Sequence, residues 1–167
     1  GRPLPGQPEL TAEDYARAAV ILGNPPAALL GEGCALRWLH TRSAGVDTYT
    51  VPGVLPAGAM LSCSTGAYGH SVSEHLLAML LALMKHLPEY RDQQNQGQWR
   101  DLGQARTLEG SQVLVVGAGD LGGSFARLCT ALGADTMGIR RDTAQPVTGI
   151  SALYPMEALD RLLPAAR

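Results

Sequence analysis

The stretch LEGSQVLVVGAGDLGGSFARLCTALGADTMGIRRD, residues 108–142, decides the fold of this chain. Its apolar run Val113–Val116 is typical of a fully buried strand. The run leads directly into Gly117-Ala-Gly-Asp-Leu-Gly122, a G-x-G-x-x-G pattern, and apolar residues then recur at helical spacing from Phe125 to Leu132. A second apolar run, Thr136–Ile139, predicts another strand. A strand, a glycine turn, a helix and a strand within about 30 residues predict a dinucleotide-binding βαβ unit.

Each glycine of this pattern has a distinct mechanical role in such a unit. Gly117 makes the tight turn, Gly119 lets the backbone approach a pyrophosphate, and Gly122 lets the helix pack close to the strand. The first N–H groups of the helix and its positive dipole end then face the phosphates. The alternative is a glycine-rich turn that serves packing alone.

Two arginines follow the second strand and bear on the choice of cofactor. A site that prefers NAD usually has an acidic residue there, about 20 residues after the glycines, to bind the ribose 2′-hydroxyl. This chain has Arg140 and Arg141 at that place, and Asp142 only afterwards. Their planar guanidinium groups suit a 2′-phosphate, so the sequence favours NADP over NAD. The alternative is that both arginines are solvated loop charges.

The composition is that of an ordinary globular protein, with 167 residues, 46% hydrophobic residues and a net charge of −2. No basic excess or aromatic platform predicts nucleic-acid binding. The longest apolar run, Leu76–Met84, is too short to span a membrane, and we expect no signal segment at the N-terminus. The three cysteines and four histidines lack ligand spacing, so we expect reduced thiols, a cytoplasmic location and no metal site.

Helix and strand patterns alternate before the glycine stretch, which predicts a parallel α/β sheet. Thr11–Asp14 reads as a helix start with a capping box, and Pro26–Leu30 opens another helix. We predict strands at Ala18–Leu22, Leu36–His40 and Met60–Cys63.

The turn Thr41–Asp47 lies between two of these predicted strands. The carboxyl edge of a parallel sheet, where such a turn lies, is the place at which α/β proteins bind ligands. Gly45 would let the backbone approach an anion and offer N–H donors to it. An ordinary connecting loop is the equal alternative at this point.

A long apolar helix follows a second glycine-rich stretch, Gly66–Ser71, which we predict to be a domain hinge. Ser71 and Glu74 form an S-x-x-E pattern, which favours a capping box over a role of Glu74 as an acid catalyst. The helix Val72–Met84 is apolar almost all round, so we expect it to be buried in a core or in a subunit interface. It breaks near Pro88.

The end of the chain predicts a one-sided helix over Glu157–Pro164. We expect no third strand after Ile139, and the first domain lacks a leading strand. Neither sheet is therefore expected to be complete.

With these segments located, the chain resembles the D-isomer-specific 2-hydroxyacid dehydrogenases. The matching segments occur in the family's order and cover nearly the whole chain. They are Leu36–Asp47, Gly66–Glu74, Gly97–Trp99, Leu108–Gly110, Gly117–Gly122 and Ala158–Pro164. This combination is far more specific than the glycine pattern alone.

The resemblance implies an α/β fold of two partial domains. Residues 1–66 would form part of a flavodoxin-like substrate domain, and residues 67–167 the first half of a Rossmann dinucleotide-binding domain. The active site would lie in the cleft between them. In the family, the backbone at Ala44, Gly45 and Val46 would bind the substrate carboxylate.

The same resemblance implies a cofactor site, a reaction and a partner. Asp120, Leu121 and Gly122 would bind the cofactor pyrophosphate, and Arg140-Arg141 is similar to the NADP-preferring glyoxylate, hydroxypyruvate and related 2-oxoacid reductases. The expected reaction is hydride transfer between NAD(P)H and a small 2-oxo or 2-hydroxy acid. The helix Val72–Met84 would contribute to a homodimer interface.

The chain departs from the family in its catalytic residues. The family's catalytic arginine, acidic residue and histidine lie beyond the position that matches Arg167. The family's histidine position is matched by none of His40, His70, His75 and His86. We therefore assign no catalytic residue and expect a longer chain, of which these residues are a part truncated at both ends. Two alternatives stay open, a non-enzymatic dinucleotide-sensing dimeric regulator and an inactive fragment.

Overall fold

The computed structural model describes residues 10–166 of the chain. Their contacts separate two units, of which the first ends at Ala67 and the second begins at Tyr68. This boundary falls within Gly66–Ser71, and the role of that stretch as a hinge stays a prediction. Each unit builds a parallel sheet of its own.

The first unit contains a short helix and three strands. They are α1 (Ala12–Arg17), β1 (Val20–Leu22), β2 (Trp38–Thr41) and β3 (Met60–Cys63), with 3₁₀ turns at Ala27–Leu29 and Asp47–Tyr49. The strands pair in parallel in the order β1-β2-β3, so the three predicted strands are confirmed.

The predicted helix at Pro26–Leu30 is wrong, because this segment makes only one 3₁₀ turn. Leu30 already has extended backbone angles and closes the turn by donating its N–H to the carbonyl of Ala27. Gly31 follows with a φ of +147°, which no helix contains.

The capping box at the start of α1 is confirmed. The N–H of Thr11 donates to Asp14 Oδ2 at 2.8 Å, and the N–H of Asp14 donates to Thr11 Oγ1 at 3.3 Å. The backbone bond from Thr11 holds the pKa of the Asp14 carboxyl below its usual range.

The first sheet is packed on one face and exposed on the other. Leu39 lies on the packed face, in a cluster with Leu36 and Tyr49. On the opposite face, one row of the sheet register consists of exposed apolar side chains. These are Val20, Trp38 and Met60. The two-residue alternation of strands explains why one face holds the core and the other does not.

The second unit contains the glycine stretch. Its elements are α2 (Gly69–Met84), α3 (Leu87–Asn95), β4 (Gln112–Val116), α4 (Asp120–Ala131), β5 (Asp135–Ile139), β6 (Ala152–Tyr154) and α5 (Leu159–Leu162), with 3₁₀ turns on either side of α5. The strands are parallel in the order β4-β5-β6. The predicted succession of strand, glycine turn, helix and strand is confirmed, and so is the helical segment near the end of the chain.

The prediction that no third strand follows Ile139 is wrong. β6 pairs in parallel with β5, with Met137 opposite Ala152 and Ile139 opposite Tyr154. This strand is only three residues long, which is too short for an alternating pattern to show in the sequence.

The prediction that the first strand of this unit is fully buried is also wrong. Val115 is its only buried residue, and Val116 is half exposed. Among the described strands, β4 lies at the edge of its sheet, which explains the exposure.

The capping box predicted at Ser71 and Glu74 is wrong because the helix begins earlier. α2 starts at Gly69 after Tyr68, and no side chain caps it. The carbonyl of Tyr68 already accepts the N–H of Val72 at 3.0 Å, so Ser71 lies inside the first turn. The early start lets α2 approach α4, because a Cβ at Gly69 would lie 2.8 Å from Ser124 Oγ.

The apolar helix α2 is packed on one side only. One of its faces packs on the cluster of Leu108, Cys129 and Ala134. That face contains Leu77, Leu80, Leu81 and Met84. Three large apolar side chains elsewhere on α2 are exposed, with Leu76 at 40%, Met79 at 50% and Leu83 at 63%.

The break between α2 and α3 lies where the sequence predicts it. His86 adopts a left-handed conformation with a φ of 54°, and Pro88 stands in the first turn of α3. Proline is well accommodated there because its missing N–H would have had no partner within the helix.

Candidate functional site

The glycine loop of the second unit rests on the end of β5. The N–H groups of Gly117 and Ala118 both donate to the carbonyl oxygen of Ile139 at 2.9 Å. Gly117 has a φ of +94°, a conformation that favours glycine. The N–H of Gly119 then donates to the carbonyl of Gly117 at 2.8 Å, which closes a tight turn. The role predicted for Gly117 is the role that it has in the structure.

Gly122 is closely packed against its neighbours, whereas Gly119 has open space around it. A Cβ added at Gly122 would lie 2.3 Å from the carbonyl oxygen of Gly117 and 3.0 Å from Val115 Cγ1, so no larger residue fits. A Cβ at Gly119 would meet nothing within 4 Å. The helix is thus packed tightly on the strand at Gly122, whereas the backbone at Gly119 can be approached closely from outside.

The N-terminus of α4 has the features that an anion site requires. Gly119 is its N-cap residue and therefore offers no capping side chain. The helix runs for 12 residues to Ala131, and Asp120 and Leu121 in its first turn are exposed. N–H groups and a helix dipole at such an end attract phosphate groups. The residues present therefore fit the pyrophosphate of a dinucleotide.

The two arginines follow the residue on which the glycine loop rests. Arg140 is half-buried and donates its N–H to the carbonyl of Tyr154 at 3.1 Å, and Arg141 is exposed. Within residues 10–166, neither guanidinium lies in a salt bridge. The neighbouring Asp142 accepts the N–H of Ala144 at 2.9 Å. Both arginines thus lie at the same edge of the sheet as the glycine loop.

The turn after β2 is shaped by side-chain hydrogen bonds. Thr41 Oγ1 donates to the carbonyl of Ser43 at 2.7 Å, and Ser43 Oγ donates to the carbonyl of Gly45 at 2.9 Å. Asn24, which follows β1, donates from Nδ2 to Ser43 Oγ at 2.7 Å and accepts the N–H of Arg42 on Oδ1 at 3.0 Å. The ends of the two strands are therefore tied together at the start of the turn.

The N–H groups of Ala44, Gly45 and Val46 face no acceptor among the described residues. Ala44 and Gly45 are exposed and Val46 is half-buried. The carbonyl of Val46 is engaged, because it accepts the N–H of Tyr49 at 2.8 Å. Consecutive free N–H groups beside occupied carbonyls suit an anion such as a carboxylate.

His40 lies in a hydrogen-bonded chain on the first sheet. Its Nδ1 lies 2.9 Å from Ser62 Oγ and its Nε2 lies 3.1 Å from Ser64 Oγ. Ser64 donates its proton to the carbonyl of Thr41, so neutral His40 must carry its proton on Nε2. Ser62 accepts from Trp38 Nε1 at 2.8 Å and donates to Nδ1. The hydrogen bonds of His40 therefore connect β2 to β3 and to Ser64, just after β3.

Within the described part of the chain, the other polar side chains form no second candidate site for a metal. No group of three or more metal-binding side chains occurs there. No helix within residues 10–166 is long and apolar enough to cross a membrane. The hydrogen bond between Cys63 Sγ and Thr65 Oγ1 lowers the pKa of the Cys63 thiol, whereas burial raises the pKa of the Cys129 thiol.

Sequence reasoning missed the side chains that shape the turn at Ala44–Val46. Asn24 and Ser43 are separated by 19 residues, so their contact leaves no local pattern. The positions of the polar residues could have indicated this contact, since Asn24 follows β1 and Thr41 ends β2. Such positions meet at one edge of a parallel sheet.

The fold and the glycine loop of the second unit define a Rossmann-type dinucleotide-binding protein. Residues 77–167 match the sequence model of the D-isomer specific 2-hydroxyacid dehydrogenase, NAD binding domain. The chain belongs to the D-isomer-specific 2-hydroxyacid dehydrogenase family.

Individual proteins that are similar to this chain include a curated reductase and a solved member of the same family. Glyoxylate/hydroxypyruvate reductase A of Photorhabdus laumondii is 30% identical over 120 residues, which are 68% of this chain and 37% of that protein. A solved family member from Aeromonas salmonicida superposes with a TM-score of 0.78 at 27% identity, covering 93% of this chain and 50% of that one.

A second solved structure contains a cofactor. The NADPH-dependent glyoxylate/hydroxypyruvate reductase of Sinorhizobium meliloti, in complex with NADP and sulfate, gives a TM-score of 0.65 at 26% identity over 79% of this chain and 41% of that one. The chain spans less than half the length of the curated relatives that it matches and about half of these structures.

Proposed function

We propose that the whole protein is an oxidoreductase that transfers a hydride between NAD(P)H and a small 2-oxo or 2-hydroxy acid. The observation that carries this proposal is the pairing of a filled position at Gly122 with an open one at Gly119. The open position would let a pyrophosphate approach the backbone at residue 119, and the filled one holds the helix end against the strand. Family membership points to the same chemistry.

The proposed cofactor site combines the helix end with the arginine pair. The backbone N–H groups of Asp120, Leu121 and Gly122 would hold the pyrophosphate, and the glycines at 117 and 119 would let it come close. Arg140 and Arg141 would bind a 2′-phosphate bidentately, so we propose NADP as the preferred cofactor over NAD. When bound, the nicotinamide supplies or accepts the hydride.

The proposed substrate site is the turn of the first unit. The N–H groups of Ala44, Gly45 and Val46 would bind the carboxylate of the acid, since they face no acceptor within residues 10–166. Relatives named as glyoxylate/hydroxypyruvate reductases support a small 2-oxo acid as the substrate. We assign the proton transfer of the reaction to none of the described residues.

We further propose that residues 1–66 belong to a substrate domain and residues 67–167 to the NAD(P)-binding domain. A homodimer would cover the exposed face of α2, because three large apolar side chains there are exposed. The three free cysteines favour a reducing compartment, and we propose the cytoplasm.

The experiment that tests the activity follows NADPH oxidation by the whole purified protein. Glyoxylate, hydroxypyruvate and pyruvate are offered in turn, with NADPH and with NADH. We expect at least one acid to be reduced, with a higher kcat/KM for NADPH. No reduction of any of the three with either cofactor would contradict the proposal.

A further inference from the structure

Two hydroxyl groups hold the carbonyls of the turn at residues 43–46. Thr41 Oγ1 donates to the carbonyl oxygen of Ser43 at 2.7 Å, and Ser43 Oγ donates to that of Gly45 at 2.9 Å. The directions of these bonds are unambiguous, because a carbonyl can only accept. Ser43 Oγ in turn accepts from Asn24 Nδ2 at 2.7 Å, so its own proton is committed to Gly45.

Holding a carbonyl also fixes an N–H group. In a trans peptide the C=O and N–H bonds lie in one plane and point in opposite directions. The carbonyl of Ser43 shares its peptide plane with the N–H of Ala44, and the carbonyl of Gly45 shares its plane with the N–H of Val46. The two hydroxyls therefore set the directions of two N–H groups.

We propose that Thr41 and Ser43 are positioning residues for the substrate carboxylate, because their hydroxyls aim the N–H groups of Ala44 and Val46. This inference rests on the proposed function and deepens it. Donors that are already oriented bind an anion more tightly, since no conformational freedom is lost on binding.

The burial of Thr41 makes its hydroxyl irreplaceable. The side chain is completely buried, so water cannot take over the bond to Ser43 if the hydroxyl is removed. Ser43 is only half-buried and depends on Asn24 for its orientation. The same Asn24 side chain accepts the N–H of Arg42 at 3.0 Å, which fixes the peptide before the turn as well.

The chain offers variants that separate the hydroxyl from packing. Thr41→Val keeps the shape of the side chain and removes the hydroxyl, whereas Thr41→Ser keeps the hydroxyl and removes a methyl group. Ser43→Ala tests the second hydroxyl at a position where the fold is less sensitive. Thr50→Ala is the matched control, because Thr50 Oγ1 donates to the carbonyl of Asp47 at 2.9 Å, outside residues 43–46.

The measurement is an NMR titration of the whole protein with glyoxylate in the presence of NADP⁺. We expect glyoxylate to shift the amide signals of Ala44 and Val46. Thr41→Val and Ser43→Ala should weaken its binding roughly tenfold, the loss of about one oriented hydrogen bond. Thr41→Ser and Thr50→Ala should bind within about twofold of the unchanged protein.

The outcomes separate this inference from the proposed function. If Thr41→Val and Ser43→Ala bind glyoxylate as tightly as the unchanged protein, the positioning role is overturned. If Thr41→Ser is the more damaging change at its position, Thr41 acts through packing and the role is overturned for it. If glyoxylate leaves the amide signals of Ala44 and Val46 of the unchanged protein unmoved, the assignment of its carboxylate to this turn fails, whereas the proposed activity is decided separately by the reduction assay with all three acids. The ligand-free amide shifts of Ala44 and Val46 then still decide whether the hydroxyls orient the peptides.

Discussion

Gly122 approaches Gly117 so closely that a Cβ at position 122 would lie 2.3 Å from the carbonyl oxygen of Gly117. That oxygen belongs to the backbone, and it also accepts the N–H of Gly119 at 2.8 Å. It cannot move without opening the turn. The contact therefore requires glycine at position 122 in this fold.

We predict that Gly122→Ala destabilises the second unit. The added methyl group has to displace the backbone of the turn, which costs about 1–3 kcal/mol of unfolding free energy, as overpacking usually does. Urea unfolding followed by circular dichroism measures the change. An unchanged midpoint would show that α4 can move away from β4 at no cost.

Gly119→Ala is the matched substitution at an open position. Gly119 has a φ of −91° and a ψ of −146°, which lies outside the backbone regions that other residues favour, and an added Cβ would meet nothing within 4 Å. We expect this substitution to lower the unfolding midpoint less than the clash in Gly122→Ala does, while NADP⁺ binding, measured by calorimetry, weakens at least roughly tenfold. Unchanged NADP⁺ affinity in this variant would argue against a pyrophosphate at this loop.

The arginine pair predicts how cofactor preference changes. Replacing both Arg140 and Arg141 by Ala should raise the KM for NADPH roughly tenfold or more, because charge-assisted bonds to the 2′-phosphate are lost. The KM for NADH, which lacks this phosphate, should change little. Arg91→Ala is the control, since Arg91 is exposed and pairs with Asp92 on α3. An equal rise in the KM for NADPH and for NADH would show that the arginines do not recognise the 2′-phosphate.

A charge placed on the exposed apolar face of α2 is expected to prevent formation of the proposed dimer. Leu83→Asp places a carboxylate among apolar side chains that a second copy would cover, and an unpaired charge is costly to bury. On the proposed homodimer, we expect the unchanged protein to sediment as a dimer and Leu83→Asp to sediment as a monomer. Gln94→Asp on α3 introduces the same charge at another exposed position and should leave the dimer intact. A dimer that survives Leu83→Asp would exclude this face as the interface.

The sequence predicted the elements whose pattern is long or chemically distinctive. The strand β4, the glycine loop and the helix α4 follow one another within 20 residues. Gly133, with a φ of +86°, directly follows the C-cap residue of α4, a position at which glycine is common. The cap of α1 was equally predictable, because Thr11 and Asp14 satisfy each other locally.

What the sequence did not reveal depends on contacts between distant residues. β6 is held by pairing with β5 rather than by its own three residues. α2 starts at Gly69, before the local pattern at Ser71, and Gly69 lies against Ser124, more than 50 residues further along the chain. The bond from Asn24 to Ser43, which are 19 residues apart in the chain, exists only because the fold brings the ends of β1 and β2 together.

The carbonyl oxygen of Ile139, which accepts the N–H groups of both Gly117 and Ala118, has a consequence for engineering this protein. The glycine loop rests on the carbonyl oxygen of Ile139, and Arg140 is the next residue along the chain. On the proposed assignment, one segment holds the pyrophosphate and the other the 2′-phosphate of the same molecule. A change that shifts the end of β5 therefore alters overall affinity and cofactor selectivity together. On the same assignment, substitutions confined to the two arginine side chains would alter selectivity without shifting the glycine loop.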